Sequence, residues 1–491
     1  MTINFNSIPI NILTPGQYIE YDNSQAVQGL PVMPSRILIF GQMLETGSKA
    51  PNVPVQIFTS SQGVGYFGRG SQLARMLAAL GGVNPWTETW AIALADNAAG
   101  VAATGSVEFT AVPTTAGTFN LYIAGTLVQI GADTTDTTAT LATALVAAIA
   151  ALPDLPVTAA VDGETAAKAN ITARHKGLCG NDIDLRVNYY STDTTPAGLA
   201  WTVTALSGGT TAPDLTDMIA AMGDTWYNTL IGPYADDASV AAINTELTRR
   251  FGPMVMADGL YFTAAAGSPG TLASLGSGLN DELVNIMGSG LSPTEPCLFA
   301  AVVGGIVAYY GNIDPARPFQ TLGMTGILAP AKEDQFIQSE RSLLLGDGIS
   351  TYTVDQGGNC TIERLVTTYK TNADGVPDIS YRDVNTLLTL AYIRYSTRAR
   401  IALKFPRCKL ADDGVTYGAG QAIVTPSIIR NELIALAGEW VDAGIMEDIA
   451  DFKTALDVER DGTDPNRVDA LLPPNLVNQF RVFAAQVQFI L

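Results

Sequence analysis

RILIFGQ, Arg36 to Gln42, sets four apolar residues in a row, Ile37, Leu38, Ile39 and Phe40, between a charge and an amide. A short, continuous apolar run of this kind reads as a strand buried in a sheet that other elements cover. Further on, SQLARMLAAL (Ser71 to Leu80) spaces its apolar residues as an amphipathic helix does, with Ser71 as the candidate N-cap and Gly81 as the stop. A buried strand followed by such a helix opens an α/β unit.

Working outward, the alternation breaks off and later resumes. From Ala102 to Thr211 the chain turns rich in Thr, Ala and Gly, with strand candidates SVEFTAV, TFNLYIAG, DIDLRVNYY and AWTVTAL around one Ala-rich helix, Thr137 to Ala151. This reads as an inserted, mostly β domain. YNTLIGPY, DASVAAINTELTRRFG, MVMADGLYF and CLFAAVVGGIVAYY then restore the strand and helix pattern. Two strong helices follow: Tyr381 to Phe405 has no internal Gly or Pro, and TPSIIRNELIALAGEW starts on Thr425 and Pro426 and carries Ile429, Leu433, Leu436 and Trp440 as an apolar stripe.

The two chain ends differ from this pattern. The first thirty residues, broken by Pro9, Pro15, Gly16 and Gly29, read as an arm with short extended pieces such as Tyr18, Ile19, Glu20 and Tyr21. After the polar DVERDGTDPNRVDALLPPN comes FAAQVQFIL, in which Phe483, Ala485, Val487, Phe489 and Leu491 share one side of an extended segment. An apolar strand at a chain terminus with no polar tail is a ready partner for another chain.

The 491 residues exceed what one core organises, so several domains are expected, and 47% hydrophobic residues suffice to fill them. Lys and Arg number 27 against 47 Asp and Glu, a net charge of −20 that repels phosphate backbones and anionic headgroups and argues against nucleic acid as a partner. Cys179, Cys297, Cys360 and Cys408 form no C-x-x-C and read as free thiols of a reducing compartment. MTINFNSIPI lacks the features of a signal peptide, and the longest apolar run, Leu298 to Tyr310, falls short of the roughly 20 residues that span a bilayer. Folding in the cytoplasm without membrane insertion is expected.

The candidate chemistry is thin. GVGYFG, Gly63 to Gly68, satisfies G-x-G-x-x-G with a strand before it and Glu88 beyond it, but Ser60, Ser61 and Gln62 separate it from the strand and the helix begins only at Ser71. A phosphate site needs the helix N-terminus inside the motif, so a turn leading into a helix is the better reading. His175 in ARHKG is the sole histidine and reads as a surface loop residue, which leaves no imidazole for a Ser or Cys triad. Asp236 and Asp237, Asp412 and Asp413, and DTTDTT (Asp133 to Thr138) read as caps and turns. No catalytic, cofactor or metal site is expected.

Three further stretches, FGRGSQLARM (Phe67 to Met76), DPARPFQTLGMTGILAP (Asp314 to Pro330) and TTYKTNADGVPDISYRDVNTLLTLAYIRYSTRAR (Thr367 to Arg400), resemble the tail sheath proteins of Mu-like contractile-tailed bacteriophages, as do FNSIP and Tyr18 to Val27 near the start. The resemblance implies a virion subunit that polymerises as stacked hexameric rings around an inner tail tube and contracts to drive the tube through the host envelope. The implied partners are other copies of the chain, the inner tube protein, and baseplate and tail terminator proteins. It implies an α/β and α+β multidomain fold: a terminal arm (1–30), an α/β domain of subtilisin-like topology (31–101 and 212–335), the β-rich insertion on the outside (102–211), a C-terminal sheath domain (336–479) and a donated strand (480–491). Both arms would then add strands to neighbouring subunits.

Burying Phe483, Val487, Phe489 and Leu491 would contribute about 1.5–3 kcal/mol each, against an association cost of about 4–15 kcal/mol. One strand is therefore marginal, and many linked strands make a stable yet pliable lattice. Between Arg394 and Lys409, six basic residues (Arg394, Arg398, Arg400, Lys404, Arg407, Lys409) occur with no acid. They read either as a solvated helix end or as a face toward an acidic inner tube. Two other functions stay open on the sequence: a nucleotide-dependent oxidoreductase using Gly63 to Gly68, and a β-rich adhesin built on the insertion.

Overall fold

The computed structural model describes residues 13–19, 32–415, 417–418 and 420–490. It is a mixed α/β multidomain chain that divides into two compact units: Ser35–Asp314 with Pro318–Leu387, and Leu388–Leu491 with Pro315–Arg317 and the N-terminal stretch.

The larger unit is built on a nine-stranded sheet. Its strands are β1 (Arg36–Gln42), β2 (Pro54–Ile57), β3 (Glu88–Leu94), β4 (Thr229–Ile231), β5 (Leu260–Ala266), β6 (Val284–Gly290), β7 (Gly323–Leu328), β8 (Ile349–Val354) and β9 (Asn359–Arg364). They lie in the order β7-β9-β8-β6-β5-β4-β1-β3-β2, and the inner run from β8 to β3 is parallel throughout. β1 sits inside this run with Ile37, Leu38, Ile39 and Phe40 fully buried, as its unbroken apolar run requires. The helices α1 (Gln62–Phe67), α2 (Gln72–Val83), α3 (Asp237–Phe251) and α4 (Pro296–Ile313) belong to this unit. α4 is long and apolar enough to cross a bilayer by composition, but most of it is buried among the strands, which makes it a core helix. Its glycines permit that: a Cβ at Gly304 would meet Ile231 at 2.6 Å, and one at Gly305 would meet Leu80 at 2.7 Å.

Ser71 caps α2 by accepting the Ala74 N–H, but the helix runs through Gly81 and Gly82 to Val83. Gly81 does not end it, because Asn84 closes the last turn and donates from its amide to the Gly305 carbonyl of α4. Between β3 and β4 the insertion folds as a four-stranded sheet (Ala200–Ser207, Ala102–Ala111, Lys168–Lys176, Val157–Val161) and a three-stranded one (Thr126–Ala132, Gly117–Ile123, Leu185–Val187) with the helix Thr138–Ala150. Phe109, Phe119, Leu121, Leu145 and Ile171 fill the core between them.

In the smaller unit, α5 (Val384–Lys404), from Leu388 on, packs against α6 (Pro426–Asp442) through Ile393, Leu433, Leu436 and Trp440. The buried indole N–H of Trp440 donates to Ser396 Oγ at 3.0 Å, so the largest side chain of this core is also polar-satisfied. The polar stretch after α6, for which the sequence offered no strand, forms a hairpin in which Asp457–Arg460 pairs antiparallel with Val468–Leu471. Asp461 accepts N–H bonds from Thr463 and Asp464 at its turn, an Asx-type geometry that a polar composition conceals.

Candidate assembly interface and polar seat

At the C-terminus, Asn475–Leu476 pairs with Met446–Glu447, and the described residues beyond it form no strand. Phe483, Val487 and Phe489 are 79%, 85% and 78% exposed, and Ala485 is exposed as well. The alternating apolar face is thus uncovered within its own subunit. In the N-terminal stretch, Tyr18 is partly exposed with its hydroxyl donating to the Thr14 carbonyl, and Ile19 is exposed. Glu20, Tyr21 and Leu491 lie outside the described residues.

The six basic residues do not act as one group. Arg398, Arg407 and Lys409 are exposed, Arg394 is half-buried, and Lys409 Nζ donates to Gln421 Oε1 at 2.9 Å. Arg400 is turned inward, its guanidinium 2.9 Å from Glu432 and 2.5 Å from Glu439 of α6, and Lys404 lies 3.9 Å from Glu432. Burial opposes the Arg400 charge, but the hydrogen bonds and charges of Glu439 and Glu432 prevail and raise its pKa. Arg400 therefore leaves the candidate tube-facing set. The segment has no acid of its own, yet Glu432 and Glu439, two turns apart on α6, supply the counter-charge from thirty residues away.

Gly63 to Phe67 lies within the short helix α1 rather than in a turn, and Gly68 ends it at φ +90°. A Cβ at Gly63 would meet Leu77 of α2 at 3.1 Å, so the first glycine of the motif serves helix packing. The carboxylate pairs are structural. Asp236 caps α3, Asp413 accepts from Ser427, and Asp412 pairs with Arg460 at 2.9 Å. Thr137 and Thr140 form a reciprocal capping box at the insertion's helix. All four cysteines are free, and burial pushes the Cys179 thiol up to about 12.

His175 departs most from its sequence reading. It is buried at the end of strand Lys168–Lys176, with Nδ1 2.9 Å from Asp96 Oδ1 and Nε2 accepting the Gln72 N–H at 3.1 Å. Gln42, the last residue of β1, donates its amide to Asp96 and to the Lys176 carbonyl, both at 2.7 Å, and the Lys176 N–H reaches Asp96 Oδ2 at 2.9 Å. Burial works against the Asp96 charge, but bonds from His175, Lys176 and Gln42 hold its carboxyl below the usual range. Arg75 pairs with Glu295 beside this group. The insertion is seated on the α/β sheet through this polar cluster, and nothing in ARHKG alone signals that partners arrive from Gln42, Gln72 and Asp96.

The geometry defines a mixed α/β multidomain protein whose conspicuous polar groups cap helices and pair internally. Residues 208–368 match the phage tail sheath protein central domain, and residues 376–490 match the phage tail sheath C-terminal domain. The Mu-like prophage FluMu tail sheath protein of Haemophilus influenzae is 42% identical over 491 residues, covering the whole of both chains. Solved structures of similar outline include the sheath tail protein of Desulfitobacterium hafniense (13% identical, 94% of this chain and 100% of that one, TM-score 0.48). Another is the helical sheath of the anti-feeding prophage in its contracted state (10% identical, 98% and 99%, TM-score 0.46). The chain belongs to the phage tail sheath family. It is a structural component of a contractile virion tail and not an enzyme, which sets aside the oxidoreductase reading of Gly63 to Gly68.

Proposed function

We propose that the chain is the repeating subunit of a sheath that assembles in the host cytoplasm as stacked hexameric rings around an inner tail tube and contracts to drive that tube through the host envelope. In this reading the nine-stranded sheet has the subtilisin-like topology as scaffold only, the insertion lies outside, and the ring contacts baseplate and tail terminator proteins at its two ends. Tyr18, Ile19, Phe483, Ala485, Val487 and Phe489 serve strand exchange between subunits, and Arg398, Arg407 and Lys409, with Arg394 beside them, face the tube.

The observation that carries this reading is the apolar C-terminal segment, exposed and unpaired in its own subunit although its alternation fits one face of a sheet. Removing Gln486 to Leu491 tests it. The shortened chain is expected to melt as the full chain does, since Gln486 to Ile490 are exposed in the subunit, while sedimentation shows no polymer. Polymers of normal length from the shortened chain would refute strand exchange through this segment.

A further inference from the structure

Outside the chain ends, the two most exposed aromatic side chains among the described residues are Phe58 and Trp86, at 72% and 70%. Phe58 follows β2, the edge strand of the nine-stranded sheet, and Trp86 lies in the turn from α2 to β3. The end of α4 joins them: the Tyr309 ring centre is 5.0 Å from that of Trp86 and 5.0 Å from that of Tyr310, and Ile313, one turn on, is 64% exposed. A groove of about 350 Å³ runs past Ile57, Phe58, Leu77, Leu80 and Pro85, and no charged residue lines it. The turn that carries Trp86 is held from below by Asn84, which is buried. Its Oδ1 accepts the Thr87 N–H at 3.1 Å, and its amide donates to the Gly305 carbonyl of α4 at 3.0 Å. Trp86 is therefore presented at a fixed place, and covering it demands little further ordering.

We propose, on the sheath reading above, that this patch docks a second copy of the chain, with Trp86 as its anchor. Rigid, exposed Trp and Tyr side chains beside a groove are the groups that dominate protein interfaces. Charge selects the occupant. Two copies that each carry −20 repel over most of their surfaces, and their approach is least opposed where a face is uncharged, as this groove is.

Size points the same way. At about 150–250 Å² for an aromatic side chain, the exposed parts of Phe58 and Trp86 amount to about 300 Å², and Tyr310 and Ile313 bring the patch to about 500 Å². A stable pair of proteins buries about 800 Å² on each partner, so this patch alone holds a separate protein weakly. In a polymer the same contact recurs at every subunit and acts together with the others each copy makes, so a weak patch suffices. Contacts within a ring or helix run head to tail, so the patch meets a different face of its neighbour rather than a second Trp86.

Sedimentation of the full chain over a concentration series gives the critical concentration for polymer and tests the patch. Trp86→Ser is expected to raise it about 30-fold, the equivalent of about 2 kcal/mol at 1.4 kcal/mol per tenfold, and Phe58→Ser about tenfold. Met254→Ser, which removes a 91% exposed side chain from the loop after α3, is expected to leave it within about twofold. With p-benzoylphenylalanine in place of Trp86, light is expected to join one chain to another in the polymer and to leave dissociated subunits single. Cross-links confined to one chain, or cross-links to the tube protein in assembled tails, overturn the proposal. An unchanged critical concentration in a folded Trp86→Ser chain overturns it while leaving the sheath reading intact. If that variant does not fold, the cross-link decides. A full chain that never polymerises overturns both.

Discussion

Arg400→Met separates an internal pair from a surface charge within one helix. The Arg400 side chain is 10% exposed and holds Glu432 and Glu439, themselves 19% and 28% exposed. Methionine keeps most of the apolar stem, so the substitution removes the charge and its two bonds with little change in packing. Breaking a fully buried pair costs about 3–5 kcal/mol, and a surface pair contributes about 0–1 kcal/mol. The residual exposure of both carboxylates, and Lys404 at 3.9 Å from Glu432, place this case between those limits, at about 2–3 kcal/mol. With a urea dependence of about 1–3 kcal/mol per molar, the midpoint falls by about 1 M or more. Urea-dependent hydrogen exchange in peptides covering Leu433–Trp440 reads this core directly. Arg398→Glu, at an exposed position two residues earlier, is expected to leave that midpoint within about 0.5 kcal/mol of the parent. Equal losses in the two variants, or no loss in Arg400→Met, would refute the assignment of Arg400 to the interior.

Two further outcomes follow from the larger unit. Desolvation, and secondarily Glu295, raise the Asp182 carboxyl to about 6, so it contributes stability below the unfolded carboxylate range that is lost as pH rises through about 6. Asp182→Asn is therefore expected to flatten the fall in melting temperature that this carboxyl contributes between about pH 4 and about pH 7, and a pH profile identical to the parent's would contradict the raised carboxyl. Gly232 follows β4, where a Cβ would land on the Phe40 ring and 2.8 Å from the Tyr261 hydroxyl. Gly232→Ala is expected to cost about 1–3 kcal/mol by overpacking, visible as a drop of several degrees in thermal denaturation. An unchanged melting temperature would mean that the β1 and β4 contact yields freely.

Much of this architecture is legible in local pattern because local pattern causes it. RILIFGQ is a buried strand since only a covered sheet accommodates four apolar residues in succession, and Pro426 with the Leu433, Leu436 and Trp440 stripe places α6 within a residue of its observed start. What escaped was set by distant partners. The exception is Lys168–Lys176, where Ala169, Ile171, Ala173 and His175 alternate inward with polar residues, a local period of two that was there to be read; the short Val157–Val161 is stabilised by pairing with it. Gly81 resembles a stop yet stays helical because Asn84 closes the helix against α4. The inward turn of Arg400 depends on α6, and the burial of His175 depends on three residues from β1, α2 and the loop after β3. A polar residue's neighbours along the chain carry little information about the groups that will surround it.

Electron microscopy of the purified full-length chain tests the sheath account most directly. Hollow tubes of stacked six-fold rings, with density for residues 483–490 running into an adjacent subunit, are the predicted result. Dispersed single subunits at concentrations where sheath proteins polymerise, or tubes in which that segment folds back onto its own chain, would contradict it.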